Sequence, residues 1–200
     1  TKRIFDYLSN YICICDVMAR DYANAFNKKG HVLMTTTDFR ASQAEKVDEK
    51  FVISFLGNVD FNRWKVLLEI GKVVKKLNSE GYIIEFSIYS KETDRERIEQ
   101  FTLENGIHFR GKISYQEVRK VISKSDLLLH VESFDEINRT KTRYSISTKI
   151  PDSLASGRCL FAYGPSEVAS IKYLKENDCA YVVTEPNNLE SGLRDIVENE

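Results

Sequence analysis

Short runs of β-branched and aromatic residues alternate along this chain with amphipathic stretches long enough for helices, and that alternation is the tightest constraint on its fold. The apolar runs are "YICIC" from residue 11, "HVLMT" from 31, "FVISFLG" from 51, "YIIEFSIYS" from 82, "IHFRG" from 107, "DLLLHVES" from 126, "RCLFAYG" from 158 and "AYVVTE" from 180. Between them lie "DVMARDYANAFNKKG", with Asp16 as its cap and Gly30 as its stop, and "NRWKVLLEIGKVVKKLNSEG", ending at Gly81. Then come "KETDRERIEQFTLENG", "SYQEVRKVISKS", "TKIPDSLASG", "SEVASIKYLKENDC" and a closing helix near "NNLESGLRDIVENE". Strands this uniformly apolar are buried on both faces, which requires helices above and below a parallel sheet. The pattern predicts a doubly wound, Rossmann-like α/β domain with a mostly parallel sheet of about six strands over residues 51–200.

The pattern is interrupted twice: an irregular segment, 133–146, precedes the helix at "TKIPDSLASG", and a polar stretch comes earlier in the chain. Residues 36–50, "TTDFRASQAEKVDEK", have no sustained apolar period and read as a linker. Residues 1–35 then form a separate strand–helix–strand piece. Because the 29 basic and 30 acidic side chains nearly cancel, bulk charge selects neither nucleic acid nor an anionic membrane as partner. Cys13, Cys15, Cys159 and Cys179 sit in apolar runs at spacings that fit neither a zinc knuckle nor a redox pair, so they read as small core hydrophobes in a reducing, cytoplasmic setting. No apolar run is long enough to span a bilayer. The start, "TKRIFDYLSN", has neither a signal peptide's apolar centre nor an initiator Met, as expected of part of a longer chain.

In a sheet of this kind ligands bind beyond the carboxyl ends of the strands. Four segments fall there. In "FLGNVDFNRW", Gly57 lets backbone approach a ligand, Asn58 or Asp60 can cap the next helix, and Arg63 in its first turn can reach an anion. The lysine and hydroxyl of a P-loop are missing, and a plain turn with a solvated Arg fits equally. In "HFRGKISYQEV", Ser114 and Glu117 form a capping box after Gly111, Lys112 and Ile113. His130 ends the most apolar strand and points to the cleft, where a satisfied core histidine is the plainer reading. Glu132, Asp135 and Glu136 follow it and could pair as acid and base, or form a solvated loop. The absence of D-x-D and H-E-x-x-H motifs argues against a metal site.

The fourth segment, "YSISTKIPDSLASGRCLFAYGPSE", is the most informative. Thr148 reads as an N-cap and Pro151 falls in the first turn, where its missing N–H costs nothing. Amides from Ser145 through Ile146 and Ser147 to Lys149 then face the cleft beside hydroxyls and a lysine, as a diphosphate requires. Asp152 in the same turn is placed to accept hydrogen bonds from a vicinal diol such as a ribose. A well-capped core helix with an acidic first turn explains the same residues.

In the order and content of these segments, residues 51–200 resemble the C-terminal, donor-binding half of the GT-B-fold glycosyltransferases of the group-one (family four) type. "SISTKIPDSLASGRCLFAYGP" is similar to the family's hydroxyl-Lys, acidic residue, small-residue helix end, Gly and strand; "FRGKIS" and "SDLLLHVES" stand in the expected places. The resemblance implies a nucleoside-diphosphate sugar of UDP or GDP type as donor, no other cofactor, no metal, and transfer with retention. It implies that Gly57, Asn58, Arg63, Lys149 and the amides of Ser145 to Ser147 hold the diphosphate, Asp152 the ribose, and Gly111, Lys112 and Ile113 the base. Residues 1–35 would be the end of an N-terminal acceptor-binding half. The rest of that half would be the missing partner and the place of any peripheral membrane contact at the inner face; the fragment alone would be inactive. One departure is plain: eight residues before Asp152, where the family carries a glutamate, stands Tyr144. Glu132, Asp135 and Glu136 are the candidates to replace it. Two other classes stay open on this architecture, a nucleotide-sugar epimerase and a non-catalytic nucleotide-binding or regulatory module.

Overall fold

The computed structural model describes residues 2–41 and 49–199. Residues 42–48, in the middle of the expected linker, lie outside the described residues. A short helix α1 (Lys2–Asp6) precedes strand β1 (Tyr11–Cys13), helix α2 (Asp16–Phe26) and strand β2 (Gly30–Val32). β1 and β2 pair in parallel as a two-stranded sheet of their own. Cys15, rather than Asp16, caps α2, its sulfur accepting from the Met18 amide. Asn27 in the left-handed region ends the helix, so Gly30 is free to open the next strand instead of stopping it.

The larger sheet is built from β3 (Phe51–Leu56), β4 (Ile84–Tyr89), β5 (His108–Phe109), β6 (Leu127–Val131), β7 (Cys159–Tyr163) and β8 (Tyr181–Val183). Every neighbouring pair is parallel, in the order β5-β4-β3-β6-β7-β8. The connecting helices are α3 (Arg63–Ser79), α4 (Arg95–Ile98), α5 (Tyr115–Lys124), α6 (Glu136–Thr142), α7 (Ile150–Ala155), α8 (Ala169–Glu176) and α9 (Leu189–Asn199). The period-2 geometry of β6 splits its side chains between two cores. Leu127, Leu129 and Val131 join α3 and α9 residues such as Leu67, Ile70 and Leu193, whereas Leu128 joins Ile122, Ile150, Ile171 and Leu174 from α5, α7 and α8. Helices therefore cover both faces, and every residue of β6 is buried.

Two expectations fail here. "KETDRERIEQFTLENG" holds only the four-residue α4 and a 3-10 turn, Leu103–Asn105, because no residue in either is buried and only packing would extend so polar a helix. The stretch 133–146, expected to be irregular, contains α6, capped by Asp135 through the Asn138 amide. Phe39, inside the expected linker, is buried in the core that α5 and α7 share. None of the helices is long and apolar enough to cross a membrane, among the described residues.

Close packing of α3 against the 3-10 turn depends on Gly71. A Cβ there would meet the Asn105 carbonyl oxygen at 2.3 Å and Ile107 at 2.7 Å, both held by their own packing. Gly71→Ala is expected to cost about 1–3 kcal/mol despite alanine's better helix propensity. Urea unfolding that showed it neutral or stabilising would mean that this contact yields easily.

Candidate functional site

The strand order places the site. The chain steps outward from β3 to β4 and β5, then returns to the other side of β3 as β6, so the loops after β3 and β6 diverge and leave a crevice. A cavity of about 570 Å³ opens there. Its floor is apolar, with Phe55, Leu129 and Val131 from the strands and Ile122 and Ile150 from the helices. Its rim carries Asn58, Arg63, Lys112 and the continuous run from Ser145 to Lys149, followed by Asp152. Gly57 and Ile113 line it as well. Segments nearly a hundred residues apart thus converge because each lies in a connection that leaves the carboxyl end of a strand.

Most sequence-predicted residues reach this cavity, but several do so in altered roles. Neither Asn58 nor Asp60 caps α3. Asn62 does so in the left-handed region without a capping bond from its side chain, while the Asn58 amide oxygen accepts from the Asp60 N–H at 2.8 Å and closes the turn. Lys149, not Thr148, is the N-cap of α7. The Ser145 amide donates to the Thr142 carbonyl at 2.7 Å and the Lys149 amide to the Ser147 hydroxyl at 3.3 Å, so neither is spare for a ligand. The amides of Ile146, Ser147 and Thr148 have no acceptor among the described residues. With six residues in α7, the helix dipole adds little, and these three amides and Lys149 are the anion-binding groups of the loop. Gly111 stands just behind the cavity in the left-handed region (φ 70°), its carbonyl accepting from the Ser90 amide. Lys112 and Ile113 are thereby presented at the rim.

Arg63 departs most from expectation. Its Nη2 donates to both Glu132 oxygens at 2.9 Å and its Nε to one of them at 3.2 Å. The carboxylate is buried at 1% side-chain exposure and the guanidinium nearly so at 14%. Arg63 therefore reaches an anion, but one supplied by the protein. Burial pushes the Glu132 carboxyl above its ordinary range, and Arg63 pulls it back. Asp135 and Glu136 do not share the cavity: Asp135 is bound by Ser133, Asn138 and Asn62 and caps α6, and Glu136 is exposed in the first turn of that helix. The cap explains both, since a carboxylate at the Ncap and another at the first helical position satisfy free amides and the dipole. Of the three acids only Glu132 adjoins the site, and it is spoken for.

Tyr144, in the place of the missing acid, donates to Asp21 at 2.9 Å. Arg143 pairs with the same carboxylate oxygen, and the Cys15 thiol donates to the Tyr144 carbonyl. The start of α2 is thus fastened to the residues just before the phosphate-facing loop. His130 is buried, with Nε2 2.9 Å from the Ser170 hydroxyl.

Sequence reasoning missed Tyr89, Ser90 and Lys91, which line the cavity from the end of β4. The strand-end rule that selected the other loops would have found them. It also missed Thr37, whose hydroxyl donates to Asp152; a threonine 115 residues away carries no local signal. The rim holds Lys91, Lys112 and Lys149, none in an ion pair among the described residues, so the open part of the site is positive. No group of His, Cys, Asp and Glu suited to a metal occurs among the described residues.

No family model and no curated protein matches the sequence. Its fold does match solved structures. WaaG, "a glycosyltransferase involved in lipopolysaccharide biosynthesis", superposes with a TM-score of 0.66 at 14% identity over 94% of this chain and 53% of its own. TarM superposes with a TM-score of 0.72 at 15% identity over 99% of this chain and 39% of its own. The pneumococcal O-GlcNAc transferase GtfA, solved with UDP and GlcNAc, gives 0.60 at 14% identity over 96% and 38%. The chain spans about half the length of these structures or less. Over that span, it has the fold of the GT-B glycosyltransferases.

Proposed function

We propose that the protein binds a nucleoside-diphosphate sugar in the β3/β6 cavity and forms the donor half of a glycosyltransferase whose acceptor half ends with residues 1–35. The observation that carries this reading is the convergence, on one apolar-floored crevice at the switch point of the sheet, of a carboxylate with three lysines and three amides that have no partner among the described residues. Lys149 and the amides of Ile146 to Thr148 would take the diphosphate, Asp152 the ribose, and Lys112 and Ile113 the base edge. Breaking a sugar–phosphate bond puts charge on the leaving diphosphate, and groups fixed beforehand stabilise that charge as it forms. Lysines in this role leave no need for a divalent metal, and transfer with retention belongs to the same proposal. GtfA was solved with UDP, which makes UDP the first nucleotide to test.

Calorimetric titration of UDP, GDP and ADP decides the matter. One of them is expected to bind, and Lys149→Ala to weaken it by about ten- to a hundredfold, the worth of a charge-assisted hydrogen bond. Failure of all three to bind, or indifference to both Lys149→Ala and Asp152→Ala, would sink the donor-site reading. One observation favours binding without transfer: Glu132 already neutralises Arg63. A protein that binds nucleotide but neither hydrolyses nor transfers any sugar, even with its acceptor half present, is the outcome that reading requires.

A further inference from the structure

We infer that Thr37, on the segment between the two sheets, is the residue that sets how strictly the site demands a ribose. This rests on the reading of Asp152 as the ribose acceptor. The Thr37 hydroxyl oxygen accepts from the Phe39 amide at 3.0 Å, so its proton is aimed elsewhere, at Oδ1 of Asp152. That leaves Oδ2 without a hydrogen-bond partner among the described residues, on a side chain that lines the cavity. A free carboxylate in a first helical turn rotates about its broad, roughly two-fold terminal torsion and offers either oxygen. With one oxygen tied to a fixed donor, the other holds a single direction, as a vicinal diol needs in order to present both hydroxyls.

The clamp is itself anchored. Phe39 is buried at 5% exposure between α5 and α7, in contact with the cluster of Ile122 and Ile150. Arg119 stacks over Phe39 at 5.2 Å and pairs with Asp38 at 2.9 Å. Residues 37–39 are therefore pinned to α5 by a ring and an ion pair, and to α7 by one hydrogen bond. The hydroxyl belongs to the segment that leads out of the first sheet, while the carboxylate it orients belongs to the second. Thr37 is a positioning residue: it touches Asp152 and shapes the choice of ligand through it.

The experiment compares UDP, GDP and ADP with their 2′-deoxy counterparts and with inorganic pyrophosphate, on the 200-residue protein and on Thr37→Val, Thr37→Ser and Asp152→Ala. The unmodified protein is expected to prefer the ribonucleotide by about tenfold, the worth of one charge-assisted hydrogen bond. Thr37→Val is expected to reduce that preference to about twofold or less, Thr37→Ser to keep it, and pyrophosphate to bind the unmodified protein and both Thr37 variants equally. Thr37→Val retaining the full preference while Asp152→Ala abolishes it would overturn the role of Thr37 and leave the ribose site standing. An equal loss for every ligand, pyrophosphate included, would reduce Thr37 to a structural residue and overturn the inference too. No ribonucleotide preference in the unmodified protein, or none lost in Asp152→Ala, would remove the ribose site and the inference together.

Discussion

Replacing Arg63 with methionine should destabilise the protein by about 3–5 kcal/mol at neutral pH, the cost of stranding a buried carboxylate without its counter-ion. Glu132 is fully buried, and Arg63 supplies three of its hydrogen bonds from two nitrogens. Methionine keeps the packing of the aliphatic stem and removes the guanidinium with its charge and its hydrogen bonds. The sign with pH follows from the direction of the Glu132 shift. Its folded pKa lies above the unfolded one, so its ionised form is a cost that grows as pH rises through the folded value. The penalty of Arg63→Met is therefore largest at high pH and fades on acidification. Urea unfolding at several pH values reads this directly, and Arg63→Met combined with Glu132→Leu should recover most of the loss. A single substitution costing under about 1 kcal/mol at neutral pH would show that the carboxylate is already protonated or hydrated. The reverse change bears on ligands: Glu132→Gln frees the guanidinium, and nucleoside diphosphates should then bind about three- to tenfold more tightly if Arg63 can turn to them.

This pair also marks where the sequence stopped being informative. The six-stranded sheet was legible because each strand is a run of apolar residues whose period requires burial on both sides, as Leu127 to Val131 shows. The strand-end rule then pointed to Gly57, Lys112, Lys149 and Asp152 without any knowledge of distance. It could not tell Glu132 from Asp135 or Glu136: all three follow one strand within five residues, and only side-chain direction separates a buried counter-ion from a helix cap. Boundaries of short helices failed for a related reason. α4 and α6 are four and seven residues long, and at that length caps and neighbours decide, not periodicity. Thr37 was invisible because its meaning lies wholly in a contact across 115 residues.

His130 supplies the second large effect, and it acts through acid. Complete burial pushes its pKa down to about 3, and the Arg63 charge adds to the shift. In the unfolded chain a histidine takes its proton near pH 6.5. Between those values the unfolded state holds one proton more than the folded state, so stability falls as pH falls from 6.5 towards 3. The full window is worth on the order of 4–5 kcal/mol. Glu132, 3.8 Å from the ring, opposes this, because its raised pKa makes the folded state the better proton acceptor at that carboxylate. Half-buried His108 is shifted downward as well and adds to the slope. His130→Gln isolates the buried ring: a glutamine amide can occupy the place of Nε2 and keep the Ser170 bond without titrating. Its stability profile should be flatter than the parent's between pH 6.5 and 4.5, above the range in which carboxylates such as Glu85, held down to about 2 by Lys50 and Arg110, begin to protonate. Parallel profiles in that range would mean that His130 already carries its proton in the fold, with Glu132 as its partner.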